Sequence, residues 1–319
     1  RVRLVMKPDC NLGRLTEQQE KDRLARIQKD LGSEDKQQIV DEAVALKKRQ
    51  EMEEDLDILP KVGIEDIPAD IFYPEPNASR ASPIAMTSYS AGTNGLVYQQ
   101  VIMPMPHFTP EQMDLLPLYS TCATEMGVGD RDYLATQLWH SSVVGSYSAS
   151  ANVRSDKDCL EKLHGNISFS AKGLASNQAA MTDLIQQSIE HTRFDELPRL
   201  RELVAQIRSY RESSIVGNGH IMAMHAAASG LSTSAYLTQR WGGLSGLSLI
   251  KALDTSLNNE QELEKLASQL QEIHTKVLQQ PRQHLLIAEQ ERLDVFETQI
   301  QSNFKTYAEN KSTVSNFID

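Results

Sequence analysis

The sequence predicts an α+β fold: a two-layer arrangement of one sheet with helices mainly on one face, preceded by an antiparallel helical hairpin. Three observations carry this. Strand-like and helical segments follow one another in the order strand, helices, two strands, helices, strand, helix. Hydrophobic residues make up 40% and charged residues 24% of the 319, enough apolar material for a core. Residues 16–54, by contrast, are densely charged and carry only a narrow apolar stripe.

Residues 1–6 alternate as a strand fragment, ended by Pro8 and the Asn11-Leu12-Gly13 stretch. No methionine opens them, so the chain is expected to begin inside a longer protein. Thr16, with Gln19 three positions on, caps the first helix. Leu24, Ile27 and Leu31 give its apolar stripe. Gly32 breaks it, and Ser33 caps a second helix striped by Ile39, Val40, Ala43, Val44 and Leu46. Residues 16–31 and 33–54 thus form the expected hairpin. Pro60, Pro68, Pro74, Pro76 and Pro83 make residues 55–92 a connector without long helices.

Residues 91–95 turn into a strand at 96–103. Thr109 caps and Pro110 begins the next helix, which presents Leu116, Tyr119 and Cys122 on a broad apolar face. Gly127-Val128-Gly129 ends it, and Asp130 is expected to cap a helix over 131–142. Strands at 146–153 and 166–172 pair across an Asp/Lys-rich linker. Helices follow at 177–192 and 197–213. Gly217-Asn218-Gly219 interrupts, and helical spacing resumes over 221–228. A further turn at 234–240 leads into the glycine-rich stretch 241–246. A long helix spans 260–279, Pro281 stops it, residues 283–288 form a buried strand, and a helix over 292–304 closes the fold before a polar tail.

The net charge of −11 gives the chain no general attraction for nucleic acid or anionic membrane, although an acidic inner wall would favour basic peptides. Three widely spaced cysteines, Cys10, Cys122 and Cys159, suit a reducing compartment. No apolar run reaches the length of a membrane span.

Catalytic motifs are incomplete. His220 and His225, five apart, face different sides of a helix, and His220 reads as a buried histidine near a helix start. Glu161 and His164 have E-x-x-H spacing, but one such pair does not make a site. Ser245 lacks the G-x-S-x-G frame. Cys122 reads as packing. Gly127-Val128-Gly129-Asp130 places Asp where a dinucleotide fingerprint needs glycine, and it follows a helix. Gly217-Asn218-Gly219-His220 has no P-loop lysine, and Gly242 to Gly246 reads as a turn or a close backbone approach.

Leu59-Pro60, Asp66-Ile67-Pro68, Thr93 to Tyr98, Thr124 to Tyr133, Gly219-His220 and Trp241-Gly242-Gly243-Leu244 occur in an order and spacing that resembles the presequence-protease branch of the pitrilysin–insulinase zinc metallopeptidases. The resemblance implies a domain of the mitochondrial-processing-peptidase type. It makes 1–6 the end strand of a preceding domain, 7–88 a linker, 89–306 a non-catalytic α+β domain, and 307–319 a tail toward a further domain. It implies a parent that encloses and degrades unstructured peptides, with zinc held in a domain absent from this chain. No catalytic, cofactor-binding or metal residue carries over, and the chain alone is expected to be inactive. Its expected partners are the remaining domains of the parent and the peptides in its chamber, with no nucleic acid and no membrane. The alternative is a non-enzymatic peptide- or protein-binding module of the same architecture. A third possibility is an independent hydrolase using Ser245 or a metal at Glu161 and His164. The expected compartment is bacterial cytoplasm, with the mitochondrial matrix as the alternative.

Overall fold

The computed structural model describes residues 9–53, 56–70, 73–78 and 84–309. The strand expected at 1–6 and the tail beyond 309 lie outside them. The chain divides into two compact units, residues 1–72 and 73–319.

In the first unit, helix α1 spans Leu12–Asp30 and α2 spans Ser33–Gln50. Helix α1 starts a turn earlier than expected. Asn11 stands at its N-cap position, and Thr16 lies inside the helix, its hydroxyl donating to the Leu12 carbonyl at 2.8 Å. At α2 the Gly32 N–H donates to the Asp35 carboxylate at 2.9 Å, so the first turn supplies its own cap. Local ion pairs support α1, Lys21 with Glu17 and Arg23 with Glu20, both at 2.7 Å. Neither helix contains a buried residue, and Leu24, Ile27, Val40 and Val44 are exposed. Packed antiparallel helices would bury part of those stripes. The two helices are formed, but their apolar stripes stay uncovered.

The second unit is built on a six-stranded sheet. Its strands are β1 (Asn77–Ala78), β2 (Ala85–Ser90), β3 (Leu96–Pro104), β4 (Ser146–Ser155), β5 (Leu163–Leu174) and β6 (Gln283–Ala288). They lie in the order β1-β2-β6-β3-β5-β4. All neighbours are antiparallel except β2 and β6. Strands β1 and β2 fall where a linker over 7–88 was expected. The Pro-rich composition of that region hides them, because β2 gains its ladder from β6, at the far end of the sequence.

Helices α3 (Pro110–Glu125), α5 (Gln178–His191), α9 (Glu260–Leu278) and α10 (Gln290–Glu309) form a layer on the sheet and on one another, with α4 (Tyr133–Val143) beside α5. Helices α6 (Leu197–Ala228), α7 (Thr233–Gly242) and α8 (Leu244–Ser256) pack together as a second group. The caps of α3 are as expected. Thr109 Oγ1 accepts from the Gln112 N–H and Gln112 Oε1 accepts from the Thr109 N–H, both at 3.3 Å. The cap of α4 is Asp132, not Asp130; its carboxylate accepts from the Ala135 N–H at 2.8 Å. Gly217-Asn218-Gly219 kinks α6 without ending it, with only Asn218 leaving helical geometry (φ −118°, ψ 17°). Helix α8 begins at Leu244, where a glycine-rich turn was expected. A Cβ on Gly246 would lie 2.5 Å from the Trp241 carbonyl oxygen, so glycine permits a close backbone approach there.

Register aligns the covered face. Met86, His284, Val101, Phe169 and Ala149 lie on one rung across five strands, and Ser88, Leu286, Gln99, Ala171 and Tyr147 on the next. Two polar members of this face bond to the helix layer, while Gln99 Nε2 and His284 Nδ1 are buried without a hydrogen-bond partner among the described residues. Gln99 Oε1 accepts from Thr182 at 2.9 Å, Ser88 donates to Glu297 at 2.5 Å, and beyond the sheet Tyr119 and His274 are hydrogen-bonded at 3.0 Å.

Phe169 is fully buried, so Phe169→Ala should lower unfolding free energy by about 3–5 kcal/mol in urea titration. Burial, aided by the Arg282 charge, pushes His284 down to about 3 and His274 to about 4. Both stay neutral when folded, whereas an unfolded histidine takes a proton near a pKa of about 6.5. Protonation therefore favours the unfolded chain. This stabilisation is complete above about pH 6.5 and is lost as pH falls toward about 4. The urea midpoint should drop through that window, and His284→Leu should make the drop shallower.

Candidate functional site

The alternation that buries one face of the sheet leaves the other open. Thr87, Leu285, Gln100, Ser170 and Ser148 form one rung there, and Tyr89, Ile287, Tyr98, Lys172 and Ser146 the next. Between them lies a shallow depression of about 320 Å³. Its polar groups are tied to one another. Gln100 Nε2 donates to Ser170 Oγ at 2.8 Å, Ser150 and Ser168 hydroxyls bond at 2.9 Å, and Asn152 Nδ2 donates to Ser150 at 3.1 Å and to Asn166 at 3.3 Å.

Lys172 is the one charged residue on those two rungs, so they carry no acidic wall of the kind that would favour basic peptides. Among the described residues, the serines of this face have no histidine or carboxylate partner to raise their nucleophilicity. Hydroxyls, amides, two tyrosines and one lysine on this shallow surface offer hydrogen-bond donors and acceptors. The alternation in 146–153 and 166–172 was the available signal for this face.

The residues singled out by motif are scattered. His164 sits on β5 with Nε2 2.8 Å from Asp156 Oδ2, and Lys162 reaches the same carboxylate at 3.3 Å. These partners hold the Asp156 carboxyl well below the usual range. Glu161 lies in the preceding turn, so the E-x-x-H spacing does not fall on a helix. His220 is exposed in the middle of α6, contrary to the expected buried position, because the kink lets α6 run on past the core. His225 is half-buried on the same helix. Ser245 is in the first turn of α8. Cys122 is buried in α3, where desolvation pushes its thiol up to about 12, which suits packing. Among the described residues, no three His, Cys, Asp or Glu side chains converge as metal ligands.

The glycine turn at 127–129 has an internal occupant. Gly127 N–H donates to Glu196 Oε2 at 2.7 Å and Tyr133 N–H to Glu196 Oε1 at 3.0 Å. Gly129 supplies the positive φ of 58°. A carboxylate from the start of α6 thus takes the backbone donors that a phosphate would need. A Cβ on Gly127 would lie 2.5 Å from Glu196 Oε2 and 2.6 Å from the Arg131 carbonyl oxygen. Gly127→Ala and Glu196→Ala should each cost about 2–3 kcal/mol by thermal or urea unfolding. The double variant should lose less than their sum, because both changes break one contact.

The family model for the domain associated with peptidase family M16, subfamily C, matches residues 6–253. The mitochondrial presequence protease of Xenopus laevis is 25% identical over 253 residues, covering 79% of this chain and 25% of that protein. The corresponding protein of Gibberella zeae is 28% identical, covering 86% and 28%. The chloroplastic/mitochondrial presequence protease 1 of Arabidopsis thaliana is 24% identical, covering 87% and 26%. The chain therefore spans about a quarter of the length of these relatives. Among solved structures, a peptidase M16 inactive domain from Pseudomonas fluorescens aligns with a TM-score of 0.45 at 14% identity, covering 78% of this chain and 53% of that one.

Proposed function

The chain belongs to the family of domains associated with subfamily C of the M16 peptidases, and from that membership we propose that it is the linker and a non-catalytic domain of a zinc-dependent metalloendopeptidase that encloses and degrades unstructured peptides. The observation that carries the reading is the family match over most of the chain, which runs through both compact units. In this reading, residues 16–54 act as an antiparallel hairpin between half-shells. Their uncovered stripes are the surface other parts of the parent would meet. The open sheet face is the domain's contribution to the chamber wall. Its neutral hydroxyls and amides hydrogen-bond extended peptide without selecting its charge.

Among the described residues, no set of His, Cys, Asp and Glu side chains fits zinc. His164 is engaged by Asp156, and His220 and His225 stand five positions apart on α6 with different exposure. The zinc of this reading belongs to a domain outside the chain. The matrix alternative for compartment is favoured by relatives whose names place them in mitochondria or chloroplasts. Among the described residues, no helix is long and apolar enough to cross a membrane.

A second reading, a non-enzymatic peptide-binding module, is favoured by the same open face, which offers recognition without a nucleophile. The whole protein separates the two. It should cleave an unstructured peptide in a chelator-sensitive manner, whereas the 319-residue chain should bind such a peptide and leave it intact. Chelator-sensitive cleavage by the chain alone defeats the proposal, and a whole protein that binds without cleaving establishes the second reading. Val40→Pro, in the middle of α2, should cost about 3 kcal/mol locally. In the whole protein it should lower turnover with zinc content unchanged. A proportional fall in both would mean that the helix supports the metal site directly.

A further inference from the structure

Helices α3, α6 and α8, with Trp241 at the end of α7, enclose a cleft of about 380 Å³ on the second unit. Its walls are apolar, from Leu115, Leu118, Ile207, Ile250 and Leu253. Arg211 of α6 enters this wall half-buried. The other cations nearby are neutralised. Arg208 pairs with Asp254 at 2.7 Å and Glu212 at 3.5 Å, Lys251 with Glu212 at 2.9 Å, and Arg240 with Asp114 through an Nε–Oδ1 contact of 2.9 Å. The Arg211 guanidinium has no hydrogen bond or ion pair among the described residues. Desolvation lowers its pKa, and no acid offsets it. A half-buried cation on an apolar wall, with no counter-charge among the described residues, is available to an anionic ligand.

We propose that this cleft binds the C-terminal carboxylate of a peptide ending in apolar residues. A carboxylate supplies the planar pair of acceptors that a guanidinium fits. The apolar walls accept the last side chains, and the volume falls in the range of small-ligand sites. The Asp114–Arg240 pair at the lining offers an acceptor and a donor to the amides of a peptide. An alkyl chain would desolvate that pair without replacing its hydrogen bonds. The occupant is therefore a peptide terminus rather than a fatty acid. The site is on the helical side of the domain, apart from the open sheet face, and does not depend on the peptidase reading.

Calorimetric titration of the 319-residue chain tests this with N-acetyl-leucyl-leucine, its C-terminal amide and octanoate. The acid should bind, and the amide should bind about tenfold more weakly or worse, as should the acid to Arg211→Gln. Because the Arg211 guanidinium has no partner among the described residues, Arg211→Gln should melt no lower than the unsubstituted chain, whereas a merely structural arginine would lower the melting temperature. Ala252→Trp, which narrows the cleft and leaves Arg211 in place, should also abolish binding. Equal binding of acid and amide, unaltered binding to Arg211→Gln, or no binding of the acid at millimolar concentration overturns the proposal. Octanoate binding in place of the dipeptide overturns the choice of a peptide.

Discussion

The second unit depends on one constraint, the shared parity of five strands. Met86, His284, Val101, Phe169 and Ala149 must fall on one rung for the helix layer to find an apolar floor. A one-residue slip of β3 would bring Gln100 and Tyr98 under α5 and turn Val101 to water. The polar residues inside that face guard the register. Gln99 is useful only opposite Thr182, and Ser88 only opposite Glu297. Apolar contacts supply stability, and these few hydrogen bonds penalise the alternatives.

The same economy appears at the glycine turn. Backbone donors left by the end of α3 and the start of α4 need an acceptor, and the fold provides Glu196 from the next long helix. One carboxylate ties three helices together and removes the nucleotide-like character of Gly127 to Gly129. Where the fold does not provide a counter-group, as at Arg211, the exception stands out because its neighbours Arg208, Arg240 and Lys251 are all paired.

Elements with local causes were legible in the sequence. The Thr109 cap, the paired alternation of β4 and β5, the long α9 and the short buried β6 follow from residues close to one another. What was hidden depends on distant partners. Strand β2 looks like the end of a Pro-rich connector until β6 pairs with it. Helix α8 was obscured because Gly243 and Gly246 read as breakers, although Gly246 serves a close approach to Trp241. The run of Gly217 to Gly219 read as a break, yet a helix that has already formed tolerates it as a kink. The motif residues pointed to no chemistry, and the open face showed only as alternation. The Arg211 cleft had no sequence signal, since its lining comes from α3, α6, α7 and α8.

The parallel pairing of β2 with β6 also sets an order of events during synthesis. Strand β2 emerges early and is flanked by β1 alone until β6 arrives, after every helix from α3 to α9 has left the ribosome. The β3–β5–β4 part of the sheet can close first, because its partners are nearer in sequence, whereas the β2–β6 ladder must bridge nearly the whole domain. Until then β3 presents the unpaired edge that β6 will fill. A nascent chain stalled before Gln283 would expose that edge together with the apolar floor beneath α10, and such a species is prone to aggregate.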